Sequence, residues 1–432
     1  MSVTTTPGQH PASRRGLRHR LAHFMVVAGP GLIVMVADND AGAVSTYTQA
    51  GAQYGTSLLW VLLLLLPVTY CVQEMVARLG IATGEGHAAM IYQRFGRWWG
   101  RFSLIDLLVV NFLTLVTEFA AVALAAHRLG IAPAIAVPLA ATGLILLVGT
   151  GSYRRWERMT LCLCGLNLAW FVLAVLVGPD WGTAAADAVA PHVPAGGLTG
   201  NLVFLVIAIV GTTIAPWQLF FQQSCVADKR LRFADLKAAR IDTALGAVAV
   251  VAFAGCMMLV GDALYRGGLG YDDPAQMALA LIPRIGHLGA TVILLLMINA
   301  ALLGATAISL SSAWAWGEVM GWRISLQSKL AEAPQFYAAY AVCVAAAAGM
   351  TLIPGAPLQT IILSVQVLAG VMLPAAIVFL QLLLNDRELL GARFANRRWN
   401  NWVNWTVIAV LFALSFVLAA QVLLPGQFPA AA

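Results

Sequence analysis

The sequence is poor in charge. Only 10% of its 432 residues are Asp, Glu, Lys or Arg, where a soluble globular chain carries about 25%. With 60% hydrophobic residues in long continuous runs, a soluble fold is excluded and a polytopic, all-α membrane protein is predicted. The ~10-residue alternating segments of a membrane β-barrel are missing too. Cysteine is scarce. The six (Cys71, Cys162, Cys164, Cys225, Cys256, Cys343) sit mostly inside or beside apolar runs, spaced for neither a zinc site nor a disulfide framework. They read as small buried side chains. No His-Glu-x-x-His helix, Gly-x-Ser-x-Gly elbow or phosphate loop ending in Gly-Lys-Ser/Thr occurs. An enzyme or ATPase is therefore not expected, and neither is a resident cofactor.

What is present is a series of apolar segments. At ~20 residues per crossing, eleven are expected near 24–52, 56–79, 103–127, 130–149, 157–177, 200–226, 238–264, 275–316, 334–353, 358–384 and 402–424. The eighth is too long for one crossing, so part of it is expected to pass beyond the bilayer. Placing the N-terminus inside and the C-terminus outside assigns 22 of the 25 Lys and Arg to the cytoplasmic side, leaving Arg128, Arg266 and Arg284 outside, as the positive-inside rule requires. The net charge of +6 is thus a signature of topology and not of nucleic-acid binding. Arg14, Arg15, Arg18 and Arg20 enter the first apolar run without an Ala-x-Ala-like cleavage site, which reads as a cytoplasmic tail over 1–22. A transporter core is expected over 23–392, with an eleventh helix and tail over 393–432.

One interruption stands out. Asp38-Asn39-Asp40-Ala41-Gly42 lies in the middle of the first span, where a carboxylate costs roughly 2.5–3.5 kcal/mol on insertion scales. Backbone that breaks at membrane depth is tolerated only if buried in protein or lining a water-filled cavity. The sixth span is interrupted at Gly211-Thr212-Thr213-Ile214-Ala215-Pro216-Trp217-Gln218, where Pro216 removes a backbone donor and breaks the helix. Two breaks five spans apart predict inverted five-helix repeats, about 23–177 and 200–384, with a midplane site between them. Asp38 and Asp40 favour a cation there.

These residues resemble the NRAMP family of divalent-metal transporters, which shares the inverted-repeat fold of the amino-acid-transporter superfamily. The resemblance runs through Gly29-Pro30-Gly31, Gln49-Ala50-Gly51-Ala52-Gln53-Tyr54-Gly55, Leu79-Gly80-Ile81-Ala82-Thr83-Gly84, Glu118-Phe119 and Asn385-Asp386-Arg387-Glu388-Leu389. It implies a divalent cation as substrate, held by Asp40, Gln366 and the carbonyls of Ala37 and Thr212; Asp38, absent from the family's motif, and Gln218 are further candidates read from the residues themselves. The chain departs from the family where the metal would bind. The family's Asp-Pro-Gly-Asn falls on Asp40-Ala41-Gly42-Ala43 and its Met-Pro-His on Ala215-Pro216-Trp217, so the asparagine and the thioether are both replaced by alanine. Oxygen ligands without a soft sulfur suit hard cations, as in the NRAMP-related magnesium transporters. The expectation is alternating-access transport of a partly hydrated Mg²⁺ or Mn²⁺.

Of the family's proton relay, Glu118 remains. The aspartate position is Leu115, the histidine positions are Trp217 and Gln222, and the ninth span has no arginine. Weak or absent proton coupling follows. Glu118 serves either the site or a tie between helices. Asp38 serves either the cation or the broken backbone, and Thr212 and Thr213 could bond to either. Asp106, Asn111 and Asn299 read as interhelical contacts, and Glu85 and His87 as a solvated loop. A carrier of the same fold moving an organic cation is the alternative, with Trp217 as its aromatic contact or as filler. Nothing in the sequence fixes an oligomeric state.

Overall fold

Inside a bilayer every backbone N–H and C=O must be satisfied by the chain itself, so apolar runs form helices. The computed structural model describes residue 24, residues 27–194 and residues 197–423, and its regular elements there are all helical. The expected cytoplasmic tail, with its four arginines, and the last nine residues lie outside the described residues. The first crossing is two helices, α1 (Pro30–Ala37) and α2 (Ala41–Tyr54), followed by α3 (Leu59–Thr83) and α4 (His87–Arg128). Next come α5 (Pro133–Gly149), the pair α6 (Tyr153–Leu166) and α7 (Ala169–Leu176), and a short α8 (Trp181–Val189). The sixth crossing is again a pair, α9 (Gly200–Thr213) and α10 (Pro216–Asp228). The rest are α11 (Leu236–Tyr265), α12 (Pro274–Ala280), α13 (Ile282–Met320), α14 (Pro334–Thr351), α15 (Leu358–Asn385), α16 (Arg387–Phe394) and α17 (Arg398–Leu423).

Among the described residues, eight helical segments are long and apolar enough to cross a membrane. The other three expected crossings coincide with the broken α1–α2 pair and the shorter helices α5 and α14. The overlong eighth segment resolves into α12 and α13, and α13 itself turns at Gly286, whose φ of 69° only glycine adopts at no steric cost. The same device at Gly96 (φ 84°) separates the start of α4 from its membrane-crossing part.

Side-chain bonds gather the connections into two ends. At one end Lys229 pairs with Glu157 (2.5 Å), Ser325 donates to Asp228 (2.5 Å), and Arg94 pairs with Glu388 (2.9 Å) and Asp386. This basic face collects the segments assigned to the inner side. At the other end Thr56 donates to Asp187 (2.5 Å), and Arg266 to the Gly178 carbonyl (2.9 Å). Asp180 caps α8 there, and the Thr183 hydroxyl, then the Thr183 and Gly182 N–H groups, hold its carboxyl below the usual carboxylate range.

The core is built by close helix pairs, chiefly α4 with α13, α2 with α11, and α9 with α15. Small residues set the spacing, as expected between membrane helices. Gly51 lies against the Met258 carbonyl and Gly261 against the Thr48 carbonyl, leaving no room for a Cβ at either place. Asn111 donates to Ser312 (3.0 Å) and Asn299 to the Leu163 carbonyl (3.2 Å), the interhelical contacts expected of them. Asp106 has no such hydrogen bond among the described residues. His87 differs from expectation. It is fully buried and bonded to Gln223 (2.8 Å), because the start of α4 folds back under α10 and does not extend into water.

Candidate transport site

The first break is built from the Asp38–Asp40 backbone. Asp38 ends α1 with helical angles, and Asp40 turns extended (φ −76°, ψ −170°). Its carboxylate caps α2 by accepting from the Ala43 N–H at 2.9 Å, as Asp does at helix N-termini. In an unbroken helix the Ala41 N–H would bond to the Ala37 carbonyl. Here it donates to Glu118 Oε2 (3.1 Å). Glu118, reaching across from α4, therefore stabilises the break and leaves the Ala37 carbonyl outside the helical ladder. The contact is the tie between helices expected as one reading of Glu118.

The second break follows from a missing donor. The Thr212 carbonyl would pair with residue 216 in a helix, but Pro216 has no N–H. Ile214 and Ala215 turn extended (ψ 87° and 149°) before α10 starts at Pro216. Thr213 bonds back to the Ile209 carbonyl (2.6 Å) and shares a hydrogen bond with Tyr47 on α2 (2.8 Å). The Thr212 hydroxyl is buried without a partner.

The breaks are fastened to each other. Gln218 on α10 donates to Asp38, and its own carbonyl accepts from Gln73 on α3 (2.7 Å). Gln366 on α15 presses against Gly42, where a Cβ would overlap its amide, and its backbone carbonyl meets Gly211. Asp40 and Glu118 approach each other at the first break, where Glu118 takes the Ala41 N–H. Gly304 on α13 makes room for the pair, since a Cβ there would stand 2.7 Å from Asp40 Cβ and 2.8 Å from Glu118 Cδ.

The structure thus brings Ala37, Asp38, Asp40, Thr212, Gln218 and Gln366 around the two breaks. Each is at most 2% exposed. Asp38 Oδ2, Asn39 Oδ1, Glu118 Oε1, Thr212 Oγ1 and Gln366 Nε2 have no hydrogen-bond partner among the described residues. A buried unsatisfied polar group costs about 1–3 kcal/mol, a cost that a polar ligand among these five atoms would relieve. No Lys, Arg or His among the described residues pairs with the three carboxyl groups. No three His, Cys, Asp or Glu side chains among them converge as a metal cluster either. The donors available to a cation are one or two carboxylates, freed carbonyls and an amide. Gln218 is less available than expected, since its carbonyl is taken by Gln73. Trp217 is fully buried and packs on Phe221 (6.1 Å between rings).

Hydrogen bonds flank the two breaks on both faces of the bundle. On the basic face Asp242 of α11 accepts from the N–H groups of Gly29 (3.2 Å), Gly31 (2.7 Å) and Leu32 (3.3 Å), while Lys229 holds the Ala28 carbonyl (2.8 Å). On the opposite face Gln359 donates to Gln49 (3.2 Å) and Tyr271 to the Ser45 carbonyl (3.1 Å). Sequence reasoning missed Gln73, Asp242 and Gly304. Gln73 and Asp242 carried a signal, being polar residues within apolar runs. Gly304 carried none.

A bundle with two opposed broken helices around a buried acidic site is the architecture of a secondary transporter. Residues 31–421 match the family described as "Natural resistance-associated macrophage protein-like" (Nramp), and the chain belongs to that family. It is 28% identical over 430 residues to divalent metal cation transporter MntH 1 of Pseudomonas aeruginosa (94% of this chain, 93% of that protein). It is 29% identical over 422 residues to MntH of Ralstonia nicotianae (92% and 91%). The manganese transporter of Eremococcus coleocola superposes with a TM-score of 0.77 at 19% identity (98% of this chain, 91% of that one). MhsT in complex with L-phenylalanine superposes at 0.62 and 14% identity (90% and 98%), a likeness of fold. The protein is a multi-pass membrane transporter and not an enzyme.

Proposed function

We propose that this protein carries a hard divalent cation, Mg²⁺ or Mn²⁺ with part of its water shell, across the cell membrane by alternating access. The observation that carries this reading is the pairing of Asp38 and Asp40 with two carbonyls, Ala37 and Thr212, whose helical partners have been removed. Cations bind where unwound carbonyls meet carboxylates. The names of the curated relatives, divalent metal cation transporters, support the cation class. Ala43 and Ala215 stand where the family places an amide and a thioether, and the remaining donors are oxygens, which suit Mg²⁺ and Mn²⁺. Mg²⁺ keeps several of its waters, and the unpaired oxygens Asn39 Oδ1 and Thr212 Oγ1 can accept from them.

Proton coupling is weak or absent in this reading. The Asp40–Glu118 pair has no titratable continuation at Leu115, Trp217 or Gln222, and α14 contains no arginine. The N-terminus is cytoplasmic and the C-terminus extracytoplasmic, which puts the basic face inside. An organic cation is disfavoured because the Trp217 ring packs on Phe221 and belongs to the apolar core. The test is uptake into proteoliposomes. Saturable Mg²⁺ and Mn²⁺ uptake, reduced to background in Asp40→Ala and without comparable metal-dependent acidification, is expected. Uptake that survives Asp40→Ala refutes the site. A steep preference for Cd²⁺ refutes the hard-cation assignment.

A further inference from the structure

A second polar cavity lies away from the breaks, where α3, α11, α16 and α17 meet on the basic face. It encloses about 420 Å³. Four guanidinium groups line it, from Arg78, Arg240, Arg393 and Arg397, with a single acid, Glu74. That acid is fully used. Its Oε1 accepts from Arg240 Nε (2.8 Å) and Nη2 (2.7 Å), and its Oε2 from Arg78 Nε (3.3 Å). Arg78 also donates from Nη1 to the Phe394 carbonyl and from Nη2 to Asn396 Oδ1 (2.7 Å). Arg393 and Arg397 form no ion pair among the described residues. Arg393 is held instead over the Phe233 ring, 3.5 Å from its centroid, in a contact that fixes the guanidinium without neutralising it.

Four positive charges against one negative, gathered in a concave site, call for an anion. The guanidinium fork matches phosphate oxygens in geometry as well as charge. The position of the cavity selects among phosphates. Trp399, at its wall, is exposed, and on the same helix Trp402 and Trp405 are exposed as well. Tryptophans at the end of an apolar helix sit at headgroup level, and basic pockets between membrane helices on the cytoplasmic side take lipid headgroups.

We propose that this cavity binds the phosphate of an anionic glycerophospholipid, with Arg393 and Arg397 as principal contacts, and so anchors α17 to the core. The inference uses the topology of the preceding reading but not its cation, so transport selectivity and lipid binding fail independently. Native mass spectrometry of the full chain, released from mixed phosphatidylglycerol and phosphatidylcholine, tests it. Retained phosphatidylglycerol should outnumber phosphatidylcholine, and Arg393→Gln with Arg397→Gln should reduce that preference several-fold. Arg284→Gln, an exposed arginine assigned to the opposite face, should leave it unchanged and controls for loss of charge. Equal retention of the two lipids, or a preference untouched by the double substitution, overturns the proposal. A free-ion site is the remaining outcome. Inorganic phosphate raising the melting temperature in detergent as much as phosphatidylglycerol does, with the same arginine dependence, would establish it and reject the lipid.

Discussion

Gln218 on the second broken helix donates its amide N–H to Asp38 at the end of the first. Each break is thus positioned by the other, and Gln73 closes the chain by bonding to the Gln218 carbonyl (2.7 Å). The pair joins two local interruptions that lie 180 residues apart in the chain.

Gln218→Leu removes the group that orients Asp38 without touching Asp40. Outer-shell partners of ligating groups typically contribute 10–100-fold in metal affinity, so about a tenfold or greater rise in the KM for Mn²⁺ uptake is expected, with the protein still folded. An unchanged KM with lowered expression would assign Gln218 a purely structural role.

Gly304→Ala is expected to separate Asp40 from Glu118. Its Cβ would stand inside contact distance of both side chains, and overpacking of a tight core costs about 1–3 kcal/mol. Thermal unfolding in detergent should show the destabilisation. Uptake should fall more than the folded fraction does, since the break at Asp40 is held by Glu118.

Asp242→Ala removes the acceptor for three N–H groups at the start of α1. Hydrogen bonds to charged groups are each worth about 1.5–3 kcal/mol, so the hold on α1 at the basic face should weaken. With exposed Cys162 replaced by Ser, a cysteine at Ala41 should react faster with a thiol reagent applied from the basic face. No acceleration would mean that Lys229 and its partners hold α1 unaided.

Ala215→Met places a thioether beside the Thr212 carbonyl. Soft ligands favour Cd²⁺ over hard ions, so the ratio of Cd²⁺ to Mg²⁺ uptake should rise by about an order of magnitude per 1.4 kcal/mol gained. An unaltered ratio would show that residue 215 does not face the ion.

Much of the fold was legible because membrane burial imposes a simple code. Apolar runs must be helices, and Asp38, Asp40 and Pro216 announce where two of them stop. The positions of the breaks, their pairing five spans apart and the acids Asp38 and Asp40 were readable from residue types, whereas Ala37, Thr212 and Gln366 were implied by the family resemblance. The apolar run over 275–316 was harder. Its turn at Gly286 depends on a positive φ that composition does not reveal, and hydropathy alone does not place the short helix α12. Glu118 was readable as important but not as the acceptor that takes the Ala41 N–H.

The sequence by itself determined that this chain crosses a membrane repeatedly, that its first and sixth spans break, and that acidic oxygens lie at the first break. These follow from hydrophobicity, from proline's missing donor and from the high cost of charge in lipid. Only the tertiary structure decided what surrounds those oxygens. Gln218 with Asp38, Gly304 beneath Asp40 and Glu118, and Asp242 across the start of α1 join residues far apart in the chain. Contacts of that kind depend on how helices pack at close range, and the polar character of any one span does not specify its partner.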